Sequence, residues 1–186
     1  IFKIFFGMRG KLFIISGPSG SGKSCLVDDI IKESNNFVRS VSVTTRPRRE
    51  NEIDGCHYHF ISEEEFEKLI KEDMLLEWAS YAGYLYGTPV KFVEDNLNGG
   101  RNVILVIETQ GAMQVKSKMK DAFLIFITTT SIDELRKRIK KRGTESQEEI
   151  DKRIKIAQKE LECMKYYDCI IVNNNYNEAL LNLKKI

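Results

Sequence analysis

Gly17-Pro18-Ser19-Gly20-Ser21-Gly22-Lys23-Ser24 is the stretch that decides the fold. It fits the spacing G-x-x-x-x-G-K-S/T, and the runs on either side supply the context that this spacing needs. Leu12-Phe13-Ile14-Ile15 reads as a short buried strand before it. Cys25-Leu26-Val27-Asp28-Asp29-Ile30-Ile31 sets apolar residues at helical spacing behind it. Glycines let the backbone wrap closely around an anion, so that successive N–H groups point inward as a nest. The helix that follows adds the positive end of its dipole at the same spot. Lys23 would then reach the β- and γ-phosphates of a nucleoside triphosphate, and the Ser24 hydroxyl would ligate Mg²⁺. An accidental Gly/Ser-rich turn would lack the flanking strand and helix.

The 186 residues fit one domain with a proper core. Hydrophobic content of 42% and charged content of 30% are ordinary for a globular protein. Twenty-nine basic against 27 acidic residues leave a net charge of +2, which is no footprint for a nucleic-acid polymer. Basic residues do cluster at 46–49 and 136–142, where a solvated face is the plain reading. The four cysteines, Cys25, Cys56, Cys163 and Cys169, form no C-x-x-C pair, which fits a reducing cytoplasm better than a secreted scaffold. Cys25 and Cys169 fall in apolar segments, where Cys is expected to act as a small hydrophobe. His57 and His59 flank one residue and offer no metal-ligand spacing. No apolar run approaches the roughly 18 residues of a membrane span. Residues 1–8 are apolar with one Lys, too short for a signal peptide and without a small-residue cleavage site. Met8 as a start and a remnant of a longer leader both stay open.

Strand-like apolar runs recur at residues 12–15, 103–107, 123–128 and 169–172, each continuous, as parallel strands covered on both faces are. Helical patterns lie between them. Capping boxes predict helix starts at Ser62/Glu65, Ser131/Glu134 and Ser146/Glu149. A further helix is expected to open at Thr88-Pro89, with Pro at the first helical position, and to stop at Asn98-Gly99-Gly100. Ile150, Ile154, Ala157 and Leu161 make one apolar stripe. The alternation predicts an α/β fold with a parallel sheet and right-handed crossovers. Residues from about 37 to 86 break it, being rich in Ser, Thr, Arg, Tyr and His. They read as a subdomain inserted between the first and second core strands.

That inserted stretch carries Ser42-Val43-Thr44-Thr45-Arg46-Pro47-Arg48-Arg49 and Glu52-Ile53-Asp54-Gly55-Cys56-His57-Tyr58. Glu77-Trp78-Ala79 and Gly83-Tyr84-Leu85-Tyr86-Gly87-Thr88 follow. With the glycine-rich loop and Arg142-Gly143-Thr144, their order and spacing resemble guanylate kinase, the family that transfers a phosphoryl group from ATP to GMP. The resemblance runs from about Lys11 to the C-terminus. It implies a P-loop NTPase fold with a parallel sheet flanked by helices, an inserted mixed α+β nucleoside-monophosphate-binding subdomain and a short lid. The single domain would divide into a core at about 11–36, 91–137 and 155–186, an insert at about 37–90 and a lid at about 138–154.

The resemblance also implies roles. Gly17, Pro18, Ser19, Gly20, Ser21, Gly22, Lys23, Ser24 and Cys25 would hold ATP, with Asn173 near its adenine. Arg46, Arg49, Tyr58 and Tyr86 would grip the GMP phosphate, since guanidinium forks match phosphate oxygens and Tyr hydroxyls donate without adding charge. Spacing from Arg46 to Glu52 favours Arg49 over its neighbour Arg48, although Pro47 stands one place earlier than usual. Ser42, Glu77, Thr88 and Glu108 map to the guanine pocket. A carboxylate at Glu77 can accept from both the ring N1–H and the exocyclic amine of guanine, whereas adenine would face it lone pair to lone pair. Arg138, Arg142 and Arg153 map to lid arginines that, with Lys23, would neutralise charge on the transferring phosphoryl group. Expected cofactor and partners are Mg²⁺, ATP and GMP or dGMP, with no nucleic-acid polymer and no membrane; monomer and homodimer stay open.

One departure stands out. The family usually carries acidic residues at both alternate positions ending the second core strand, and here they are Val106 and Glu108. A protein-binding scaffold of the same likeness would have a degraded phosphate loop, and a kinase for another small molecule would lack Glu77 and the tyrosines.

Overall fold

The run Leu12-Phe13-Ile14-Ile15-Ser16 is buried at every position and forms β1 (Leu12–Ser16). In the computed structural model, which describes residues 8–81, 83–141 and 146–186, β1 is the middle strand of a five-stranded sheet. β7 (Asn102–Val106) and β8 (Phe123–Thr128) flank it, with β2 (Phe37–Arg39) beyond β7 and β9 (Cys169–Val172) beyond β8. Every pairing is parallel. Successive side chains of a strand point to opposite faces. Leu12 and Ile14 therefore join Leu105 and Leu124 in one core, under α3 (Val90–Asn98) and α4 (Thr109–Lys118). Phe13 and Ile15 join Ile104 and Ile125 in the other, under α1 (Lys23–Glu33) and α7 (Tyr176–Lys184). Coverage on both faces is why these strands read as unbroken apolar runs.

A second sheet holds β3 (Val43–Thr44), β4 (His59–Phe60), β5 (Leu75–Tyr81) and β6 (Tyr84–Pro89), in the order β4-β3-β6-β5. Helix α2 (Glu63–Lys71) sets Phe66 on Val43 and Leu75, which gives this sheet a small core of its own. Helices α5 (Ile132–Lys141) and α6 (Gln147–Glu162) pack through Leu135, Ile139, Ile150, Ile154 and Ala157. Among the described residues no helix is long and apolar enough to cross a membrane.

Both full capping boxes form at Ser62/Glu65 and Ser146/Glu149. At Ser131 the Glu134 N–H donates to Oγ at 3.2 Å, while the Glu134 carboxylate pairs with Arg138. Four expectations change. Phe37–Arg39 pairs with β7 and stacks Phe37 on Phe13 at 5.8 Å, so the interruption of the core begins after it. Pro89 is the last residue of β6, opposite Leu75, and caps α3 from an extended conformation; the helix begins at Val90. Cys25 is exposed. The buried stripe of α6 ends at Glu160, with Leu161 only half-buried.

Candidate active site

The carboxyl end of β1 runs straight into the glycine-rich loop, where open parallel sheets place their ligands. Gly17 has φ +140°, and a Cβ there would fall on the carbonyl of Ile127 in β8. Gly22 has φ +89°, and a Cβ there would fall on the amide nitrogen of Asn173. Asn173 follows β9, is buried, and donates from Nδ2 to the carbonyl of Ser21 at 2.8 Å. That bond braces the loop from the end of β9. Lys23 opens α1 and bends back, donating to the carbonyls of Gly17 and Pro18. No acidic side chain sits in the first turn of α1, so its positive end is left for an anion. Ser24 is exposed in that turn. Among the described residues no group of three or more His, Cys, Asp or Glu could hold a metal by itself.

Helix α5 lies over the loop, with Ile139 and the Cβ of Arg138 beside Gly20. Arg138 Nε donates to Glu134 Oε1 at 2.8 Å. From α6, Arg153 Nη1 donates to Ser19 Oγ at 3.1 Å. Arg136 pairs with Asp151 and ties the two helices together. Arg142 lies outside the described residues.

In the second sheet, Arg46 forms a fork on Glu52: Nη1 donates to Oε2 at 3.0 Å and Nη2 to Oε1 at 2.7 Å. Glu52 also accepts from the backbone N–H of Arg49 at 2.8 Å. The Arg46 guanidinium above all holds the Glu52 carboxyl down at about 2; burial opposes it, and the Arg49 N–H adds a smaller lowering. Arg46 sits over the rings of Tyr58 and Phe60 at 5.5 and 5.7 Å. Tyr86 packs edge-on against Tyr58 at 5.8 Å, while Arg49 is exposed. Glu52 is a positioning residue that sequence spacing used only as a ruler.

Glu77 on β5 is 5% exposed and accepts from the Thr88 hydroxyl at 2.7 Å. Burial raises its carboxyl pKa and Glu108 adds to the rise; Thr88 and Lys118 pull it down. Glu108 caps α4 and stays exposed at the cavity mouth. The protein mass behind it raises its pKa, opposed by Lys23 and Arg153.

A cavity of about 290 Å³ joins these parts, lined by Gly17, Ser19, Lys23, Glu108 and Arg153 from the core and lid elements and by Ser42, Tyr58, Glu77 and Tyr86 from the second sheet and its approach. Thr88 meets it through Glu77. Arg46, Arg49, Arg138, Ser24, Cys25 and Asn173 are not among its lining residues. Tyr81, Ile156 and Glu160 line it as well and were not foreseen. Glu160 is buried, and burial pushes its carboxyl up to about 7, with Lys23 lowering it and Glu108 raising it. Its place in the stripe after Ala157 is the only signal the sequence offered.

A parallel sheet whose first strand ends in a lysine-closed anion nest, facing a second sheet across one cavity, defines a phosphate-loop nucleotide-binding protein. The family model described as guanylate kinase matches residues 9–186, and the chain belongs to that family. A guanylate kinase of Desulfitobacterium hafniense is 47% identical over 178 residues, covering 96% of this chain and 89% of the relative. One of Thermotoga maritima is 45% identical, covering 93% of this chain and 84% of the relative. The crystal structure of guanylate kinase from Anaplasma phagocytophilum superposes with a TM-score of 0.78 at 33% identity, over 96% of this chain and 84% of that one.

Proposed function

We propose that this chain transfers the γ-phosphoryl group of ATP to GMP or dGMP, giving ADP and the corresponding diphosphate. The observation that carries the reading is a single cavity walled by both Lys23 and Glu77. A cation for the donor phosphates and a buried acceptor for a purine edge share one cavity. The glycine-rich loop from Gly17 to Gly22 cradles the triphosphate with its N–H groups, and Lys23 swings from the loop carbonyls onto the transferring phosphate. Arg138, Arg142 and Arg153 supply positive charge from the lid. Arg46, oriented by Glu52, grips the acceptor phosphate with Arg49, Tyr58 and Tyr86, while Glu77, Thr88, Ser42 and Glu108 read the guanine.

No general base is needed, because the attacking GMP phosphate oxygen is already anionic. It forms the new bond to the γ-phosphorus as the bond to the bridging oxygen of ADP breaks. The protein aligns the two nucleotides, spreads positive charge over the transferring oxygens and excludes water. The exposed Ser24 hydroxyl, with no carboxylate cluster among the described residues to cage an ion, would hold Mg²⁺ that arrives with the phosphates. When bound, the ion neutralises charge on the β- and γ-phosphates. Unpaired cysteines support a cytoplasmic setting, and the near-balanced charge supports free nucleotides as partners, for a monomer or a homodimer. A coupled ADP-release assay with GMP, AMP, CMP and UMP tests the proposal. Release dependent on GMP is expected, and a preference for any other acceptor would overturn it.

A further inference from the structure

Gly111 is the third residue of α4 and is not among the residues with positive φ. Its backbone makes no demand for glycine, and alanine is the better helix former. The demand comes from the strand packed against it, β5. A Cβ at Gly111 would fall on Glu77 Oε2, with Glu77 Cδ at 3.0 Å and Cγ at 3.5 Å. The carboxylate therefore rests against the bare Cα of the helix.

Neither side can yield easily. Glu77 is buried, its other oxygen holds the Thr88 hydroxyl, and its backbone is in register with Thr88 on β6. The helix is clamped to the same strand. Gln114 accepts from the Trp78 N–H at 3.2 Å and donates to the Trp78 carbonyl at 2.8 Å. Lys118 donates to the Leu75 carbonyl at 3.0 Å. These bonds bracket Glu77 along β5, so a methyl on Gly111 would move the carboxylate and not the helix.

We propose that Gly111 is a specificity-determining residue: the missing side chain sets where the Glu77 carboxylate meets the base edge of the acceptor nucleotide. The proposal rests on Glu77 as the guanine reader. A methyl there pushes the carboxylate from its seat toward the cavity that both residues line. A misplacement of about 1 Å in a positioning group costs on the order of 10²-fold in rate.

The test is a double-mutant cycle of Gly111→Ala and Glu77→Asp, read as kcat/KM for GMP, KM for ATP and melting temperature. Aspartate is shorter by one methylene and withdraws the carboxylate from the added methyl. Gly111→Ala alone is expected to lower kcat/KM for GMP by about 10²-fold, chiefly through KM, with the KM for ATP little changed and the melting temperature lowered by the crowding. In the Glu77→Asp background the same substitution should cost less than about threefold, a coupling that only groups in contact show. Equal losses in both backgrounds, or a small loss in the parent, overturn the proposal. If Gly111→Ala fails to fold but the double variant folds, the clash is upheld; if neither folds, the role is structural and the proposal fails. Undiminished GMP activity in Glu77→Asp alone would strike the reading of Glu77 itself, and this proposal with it.

Discussion

Glu77 and Thr88 face each other across β5 and β6, joined by a buried hydrogen bond of 2.7 Å. Thr88 occupies one carboxylate oxygen and leaves lone pairs for two donors on one purine edge. Glu77→Gln keeps the shape but turns one acceptor into a donor. GMP activity should fall by about 10²-fold or more, near 3 kcal/mol for an unmet buried hydrogen bond plus a lost charged one. AMP activity should hold or rise slightly, since the new amide can face the ring lone pair of adenine. Measuring kcat/KM for both monophosphates in parent and variant decides it, and a GMP loss below threefold would move the guanine reader to Glu108. Outside the cavity, on the loop after β3, the Glu52 carboxylate binds both the Arg46 side chain and the Arg49 backbone. That bond sets the loop register at Arg49, so Arg49→Ala should raise the KM for GMP sharply and Arg48→Ala much less. The opposite ranking in GMP titrations would show that Pro47 shifts the register.

Helix α6 contributes Arg153 to the loop and Glu160 to the cavity floor, eight residues of chain that join two charges of opposite sign to one site. The Glu160 carboxyl is pushed up from 4.5 to about 7 by burial. A raised acid binds more protons folded than unfolded between those values, so its contribution makes stability fall as pH rises from about 4.5 to 7 and level off above. Glu160→Gln removes that slope. Thermal unfolding of parent and variant should coincide near pH 5, and the variant should melt higher at pH 8. Coincident melting at both values would mean that solvent reaches the carboxylate. Glu52 works the other way: held at about 2, it stabilises above 4.5 and loses that contribution as pH falls toward 2.

At the scale of the molecule, the two sheets are linked most firmly where α4 grips β5, through Gln114 on Trp78 and Lys118 on Leu75. Arg46 and Tyr58, the residues proposed to grip the acceptor phosphate, lie at the opposite side, next to β3 and β4 at the far edge of the second sheet. A sheet held along one edge is built to swing about it, and an open site would hydrolyse ATP. Small-angle scattering should therefore show compaction when GMP and a non-hydrolysable ATP analogue are both present. An unchanged radius of gyration would mean that the open form is already the reactive one, or that closure is local.

Periodicity and punctuation are local properties, and the elements they specify could be read from the chain alone. The loop from Gly17 to Ser24, the buried parallel strands, the capping boxes at Ser62 and Ser146, and the family likeness all belong to this class. What faces what could not be read. Positions three and four after Ala157 both lie on a helical stripe, and only packing against α5 and the cavity turned Glu160 inward in place of Leu161. Phe37–Arg39 is too short to announce itself, and it joins the core sheet because β7 offers it a partner. Pro89 looked like a helix opening because its fixed φ suits one, yet pairing with Leu75 kept it in the strand. The seating of Glu77 against Gly111 and the brace from Asn173 to Ser21 join residues 34 and 152 apart in the chain. Spacing along the backbone carries no record of contacts closed by the folding of two sheets around one cavity.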